Sequence, residues 1–234
     1  MKKILAIGLL AIFLNGCATK SISETGYAQK EGHGKESSTQ TELNELEVIG
    51  VSDLSSISEK AISEALAASG AVNLPKGDSI LLVQSGADFP DSQMVESMSE
   101  YWDINILSGS NNRYTRGDLN KTLRYVAASG GNKHLVVYWG IVETAKKNLD
   151  TKSVSWVPFL GWSIPDENTQ MRIRLKFAII DVEKGSWKIF QPSPVEEEFM
   201  TSIIGRKGKE QQKVIELKKL VYSNAAKQIF AKFN

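Results

Sequence analysis

His134-Leu-Val-Val-Tyr-Trp-Gly-Ile-Val-Glu143 is an unbroken run of β-branched, aliphatic and aromatic residues, and it reads as the central strand of a sheet. Met171 to Asp181 behaves differently. Met171, Ile173, Leu175, Phe177 and Ile179 share one face, while Arg172, Arg174 and Lys176 take the other. A strand buried on one side and wet on the other at its start is antiparallel in character. Val182-Glu-Lys-Gly-Ser186 then turns the chain into Trp187-Lys-Ile-Phe190, a hairpin. Upstream, Ser79–Gln84 is a short buried strand bounded by Gly77 and Gly86, and Ile104–Leu107 is a second. Helical spacing predicts four helices around these strands. The first spans Ser55–Ser69, carries Ile57, Ala61, Ile62, Ala65, Leu66 and Ala68, and stops at Gly70. The second opens at Pro90-Asp91 with Asp91 or Ser92 as N-cap, and holds Met94, Val95, Met98 and Trp102. The third follows Arg116-Gly117-Asp118, carries Leu119, Leu123, Val126 and Ala127, and ends at Gly130-Gly131. The last, Lys209 to Phe233, presents Val214, Leu217, Val221, Ala225, Ile229 and Phe233. The order predicts an α/β (α+β) fold: a mixed sheet of about five strands, helices packed on it and a long C-terminal helix. No repeat interrupts it, so residues 46–234 read as one domain.

Composition sets the function classes. The 234 residues are 41% hydrophobic and 24% charged, ordinary for a globular chain. Twenty-eight basic against 27 acidic groups give +1, which offers no support for a broad nucleic-acid-binding surface. A single cysteine excludes an internal disulfide framework and any zinc site built on several thiolates. No cofactor is expected.

That cysteine follows Met1-Lys2-Lys3 and the apolar run Ile4 to Leu14. A basic start, an 11-residue apolar stretch and a small residue before the cut describe a signal peptide over residues 1–16. The run is shorter than the roughly 20 apolar residues a spanning helix needs. Cleavage between Gly16 and Cys17 removes Lys2 and Lys3 and leaves 26 basic against 27 acidic groups. Residues 17–45 hold few sizeable hydrophobes, Ile22, Tyr27 and Leu43, and are expected to form a flexible tether. A coil of about 28 residues has a root-mean-square reach of roughly 30 Å.

Leu14-Asn15-Gly16-Cys17 resembles the bacterial lipobox. The resemblance implies that Cys17 is diacylated on sulfur, becomes the new N-terminus and is then N-acylated, with palmitate-like chains. Three chains exceed the two signals that stable anchoring takes. A plain secreted protein with a free thiol is the alternative. Ala18, rather than an acidic residue, follows the cysteine, which by the family rule implies the outer membrane, the domain facing the periplasm. The element order behind the lipobox, with Ile179-Ile180-Asp181-Val182-Glu183-Lys184-Gly185, resembles a group of cell-envelope proteins. These are the curli-secretion lipoprotein, the N-terminal domain of the Tol translocation protein and the activator lipoproteins of penicillin-binding proteins. The resemblance implies a domain that binds an envelope protein or assembles with itself. A pore subunit is disfavoured: Leu149 to Gln170 contains Pro158 and Pro165 and lacks the 9–11 alternating residues of a spanning strand.

Val154-Ser-Trp-Val-Pro-Phe-Leu-Gly-Trp-Ser-Ile-Pro165 is the candidate partner-binding segment, expected to be a loop. Its Trp156, Pro158, Phe159, Leu160, Trp162 and Pro165 offer aromatic area on a stiffened backbone. A fold-back that caps an open edge or end of the sheet is the bland reading, and a membrane-dipping or ligand-gripping role is a third. No catalytic set is recognised. There is no Gly-x-Ser-x-Gly elbow, and two histidines cannot supply a His-Glu-x-x-His metal pair. A periplasmic hydrolase using His134 or Asp166 stands as the alternative function. His33 in the tether, Asp166-Glu167 and Glu196-Glu197-Glu198 read as solvated groups, so no metal site is expected. Arg172, Arg174 and Lys176 read as an exposed basic face.

Overall fold

In the computed structural model, residues 20–24, 42–51, 57–68, 70–108, 118–147, 154–158, 169–199 and 206–234 are described. Cys17 and Gly16 lie outside them, as do His33, Phe159, Leu160, Trp162, Pro165, Asp166 and Glu167. The strands are β1 (Lys20–Ser21), β2 (Ser79–Gln84), β3 (Asp103–Ile106), β4 (His134–Lys147), β5 (Val154–Pro158), β6 (Thr169–Asp181), β7 (Trp187–Phe190) and β8 (Val195–Phe199). The helices are α1 (Glu45–Val48), α2 (Glu59–Ala68), α3 (Ser92–Ser99), α4 (Leu119–Ser129) and α5 (Arg206–Phe233).

Five strands form the body of a mixed sheet in the order β3-β2-β4-β6-β7, as the pattern predicts. β2 is parallel to both β3 and β4, whereas β6 is antiparallel to β4 and β7 antiparallel to β6. β2 shows why its central run, Ile80 to Val83, is apolar without alternation. Ile80 and Leu82 enter a core beneath α3 and α5, while Leu81 and Val83 enter a second core beneath α1 and α4. A parallel strand covered on both faces needs no polar alternation. The three short strands attach beside this body: β1 and β5 on β4, and β8 on β6.

The β6–β7 turn matches its sequence. Asp181 Oδ1 accepts from the Lys184 amide at 2.8 Å, and Gly185 sits at φ +70°, where a residue with a Cβ is strained. Asp118 caps α4 by accepting from the Lys121 amide at 3.2 Å. α5 buries Val214, Leu217, Val221, Ala225, Ile229 and Phe233, the stripe read from the sequence.

Three expectations change. First, the tether extending to residue 45 does not hold for its described part. Lys20 and Ser21 pair with Val142 and Ile141, Ile22 is buried in the main core, and Leu43 is buried in the second core. Second, α2 packs into neither core: Ile62 is 52% and Leu66 75% exposed. Its helical spacing sets a face without burying it. Third, Val154–Pro158 is a strand rather than a loop, running antiparallel along the end of β4. Val154, Trp156 and Val157 favour extended backbone. Pro158, which lacks a donor, stands at the end of a strand whose one described neighbour is β4.

Candidate functional site

β2 connects through α3 to β3, and β3 returns through α4 on the opposite face to β4 on the other side of β2, so β2 stops between two longer-range connections while β4 runs on past it. β2 ends at Gln84, which is paired with Tyr138 of β4. A dense polar cluster fills the space beyond.

Asp91 is the residue that opens α3. Its carboxylate makes no cap hydrogen bond and turns instead toward α5. Lys218 Nζ donates to Asp91 Oδ2 at 2.8 Å, and the Tyr222 hydroxyl donates to the same oxygen at 2.6 Å. The Asp91 amide donates to Gln84 Oε1 at 2.7 Å, and the Tyr138 hydroxyl also donates to Gln84 Oε1. Gln84, Tyr138, Lys218 and Tyr222 are all buried. Burial, reinforced by the negative charge of Asp91, holds the Tyr138 phenol well above its usual range. Burial does the same to Tyr222, with Tyr138 and Asp91 adding to it. Both phenols therefore remain protonated donors at neutral pH, so they serve as fixed hydrogen-bonding groups rather than as bases.

The crevice is occupied by the chain's own amino-terminal segment. Lys218 Nζ donates to the Ile22 carbonyl at 3.0 Å. Gln84 Nε2 donates to Ser23 Oγ at 3.0 Å, and Ser23 Oγ donates to the Ser85 carbonyl at 2.8 Å. Gly140 makes this close approach possible. A Cβ there would stand 2.8 Å from both Ile22 Cδ1 and Leu175 Cδ2, so these two buried side chains would have to shift. β4 thus carries three successive neighbours on one edge: β2 to Tyr138, β1 at Ile141 and Val142, and β5 from Glu143 to Lys147.

Of the residues proposed from sequence for partner binding, the structure places Trp156 opposite Ala145 and Pro158 opposite Glu143 on β5. Trp156 and Pro158 thus stand beside the segment that follows Cys17 in the chain. The Asp91–Lys218–Tyr222 cluster was not legible in the sequence. Its members lie 127 and 131 residues apart, and Asp91 reads locally as a helix cap.

The basic face of β6 is ion-paired rather than simply solvated. Arg172 Nε donates to Glu143 Oε2 at 2.6 Å, and Arg174 grips both oxygens of the same buried carboxylate, at 2.9 and 2.7 Å. Lys176 reaches Glu45 of α1. A carboxylate flanked by two guanidiniums is a strong, oriented pair. Glu196, Glu197 and Glu198 lie on β8, opposite Arg172, Met171 and Gln170 of β6.

His134 is buried at the start of β4, with Nε2 3.0 Å from Asp78 Oδ2. The Asp78 carboxyl is held below its usual range, first by the hydrogen bond from Lys133 and then by that from His134, against its partial burial. His134 Nδ1 is buried and has no hydrogen-bond partner among the described residues. No described hydroxyl is therefore set up against it as a nucleophile. Among the described residues there is no group of three or more His, Cys, Asp or Glu side chains arranged to hold a metal ion. No described helix is long and apolar enough to cross a membrane. An open depression of about 260 Å³ lies between the segment before β2, β7 and the end of α5, lined by Val72, Lys188, Ile189, Lys232 and Phe233.

Several solved structures are similar to part of this chain. Rare lipoprotein B from Shewanella oneidensis is 10% identical, with 66% of this chain and 92% of that one covered and a TM-score of 0.36. A minor lipoprotein from Acinetobacter baumannii is 12% identical, with 68% and 92% covered and a TM-score of 0.33. The PelC dodecamer from Paraburkholderia phytofirmans is 13% identical, with 66% and 95% covered and a TM-score of 0.31. No curated protein matches the chain significantly. The model of the YafT bacterial lipoprotein family matches residues 44–232, the whole body of the sheet with its helices, and the chain belongs to that family.

Proposed function

We propose that the protein is a lipid-anchored component of the cell envelope, held in the outer membrane through acylated Cys17, whose domain faces the periplasm and binds an envelope protein or a second copy of itself. Membership of a lipoprotein family supports the anchor. The motif Leu14-Asn15-Gly16-Cys17 supplies the acylated residue, and cleavage after Gly16 exposes its amine. Residues 1–16 are the signal peptide in this reading. The resemblance to the curli-secretion, Tol and penicillin-binding-protein activator group belongs to the same proposal and favours binding over catalysis.

One observation carries the partner reading: Trp156 lies on β5, whose one described neighbour is β4 and whose outer side heads a segment rich in aromatic residues and proline. Extended backbone with one neighbour among the described residues can accept another strand, and tryptophan supplies contact area at low entropic cost. The partner contact is assigned to Trp156, Pro158, Phe159, Leu160, Trp162 and Pro165. A photoreactive phenylalanine analogue at position 156, crosslinked in living cells, should trap one discrete partner band or a dimer. A control at Tyr125, 74% exposed on α4, should trap neither. Monomer alone at position 156 under saturating crosslinking would overturn this assignment.

A further inference from the structure

We infer that the segment Lys20–Glu24 acts as a strap that presses the β1 and β5 end of the sheet against the lipid surface, so that the domain does not hang on a long tether. The inference rests on reading Cys17 as the acylated residue. Cys17 precedes Lys20 by three residues, and three extended residues span at most about 11 Å. Lys20 is not free to wander, because it is paired with Val142 and the next residue with Ile141. Ile22 is 1% exposed. The strap is secured on both sides of the crevice, by Lys218 of α5 on the Ile22 carbonyl and by Gln84 of β2 and the adjoining Ser85 on Ser23.

The chain also returns to the place it left. A Cβ at Gly86 would stand 3.2 Å from Glu42 Cγ and 3.6 Å from Ser23 Cβ, so residues 23 and 42 flank the same glycine although 19 positions separate them. The Leu43 amide donates to Ser85 Oγ at 2.8 Å, and the Leu43 carbonyl accepts from Trp139 Nε1 at 2.9 Å. Residues 23 and 42 are thus held beside one another, so the number of residues between them does not set the distance between anchor and domain. The anchored stretch is three residues, not about 28.

The chemistry at this end of the sheet suits a bilayer surface. Lys146 and Lys147 end β4, paired with Ser155 and Val154 of β5. Lysines close to a membrane surface are attracted to anionic headgroups. The opposite end of β4 and β6 carries a compact charged turn, with Asp78, Lys133, Asp181 and Lys184 in ion pairs among themselves.

The position of an insertion tests the strap. The full acylated chain is placed in vesicles of phosphatidylethanolamine and phosphatidylglycerol that carry a nitroxide on a fraction of the headgroups. A fluorophore is attached at Glu42→Cys, which is the sole thiol once the sulfur of Cys17 is acylated. Twelve Gly/Ser residues are inserted either between Ala18 and Thr19 or between Gly34 and Lys35. The first insertion lengthens the anchored stretch to a root-mean-square span of roughly 20 Å and should remove about half of the quenching or more. The second should leave the quenching unchanged. Equal losses from the two insertions, or an intact chain quenched no more than the first variant, would overturn the strap. Flotation is read separately. If the protein does not float with the vesicles, or if a Cys17→Ala chain floats as well as the parent, the acyl anchor fails and the apposition fails with it.

Discussion

Asp91 shows how one residue type changes role with its surroundings. In sequence it is a helix N-cap, since it stands one residue before an amphipathic run with a short oxygen-bearing side chain. In the fold it does cap α3 in position, but its carboxylate is claimed by Lys218 and Tyr222. Two buried phenols beside that carboxylate have a consequence for pH. The folded values of Tyr138 and Tyr222 lie above the ordinary value of 10.0, so the unfolded chain loses these protons first as the pH rises. Their contribution to stability is therefore full below about pH 10 and is lost as pH climbs through the folded values, by up to about 1.4 kcal/mol per pH unit for each phenol. Urea unfolding should show a steeper fall between pH 10 and 11 for the parent than for Tyr222→Phe. Identical slopes would show that the phenol is not buried in the charged cluster. Neither tyrosine could have been singled out from the sequence, where Tyr138 is one residue of an apolar run and Tyr222 stands beside the apolar stripe of its helix.

Among the elements, those with strict patterning were legible. Ser79–Gln84 and Trp187–Phe190 coincide with β2 and β7, and the alternation from Met171 coincides with most of β6. A buried face imposes that pattern. β1 and β5 were not legible for opposite reasons. Lys20-Ser21-Ile22 holds one large hydrophobe among polar neighbours, and its burial depends on a crevice made by β2, β4 and α5, with Gly140 giving clearance. Val154–Pro158 was read through its prolines and neighbouring aromatics, which obscured a five-residue extended strand on the edge of β4. The strap makes a direct prediction. Ile22→Ala should cost about 2–5 kcal/mol in chemical denaturation, as for any fully buried isoleucine. A change below about 0.5 kcal/mol is the result expected of a surface position and would mean that the segment is not part of the core.

At the scale of the whole molecule, the sheet with helices packed on it and the lipoprotein character were readable. The sheet follows from periodicity, and the anchor from a basic start, an apolar run and a cysteine at its end. What the sequence left out was the connection between them. Residues 23 and 42 meet at Gly86, and on the proposed reading the short stretch before Lys20, rather than a long tether, joins the domain to its anchor. That difference is long-range and carries no local pattern. It matters because a domain within about 11 Å of its anchor meets partners at the membrane surface, whereas a tether of about 28 residues explores roughly 30 Å around it. The account as a whole depends on acylation at Cys17. Its most direct test is the mass of the amino-terminal peptide released from protein purified out of the membrane fraction. The account predicts a chain that begins at Cys17 and carries a diacylglyceryl group on sulfur and a third acyl chain on the amine. A peptide that still includes residues before Cys17, or one that begins there with a free thiol, would contradict it.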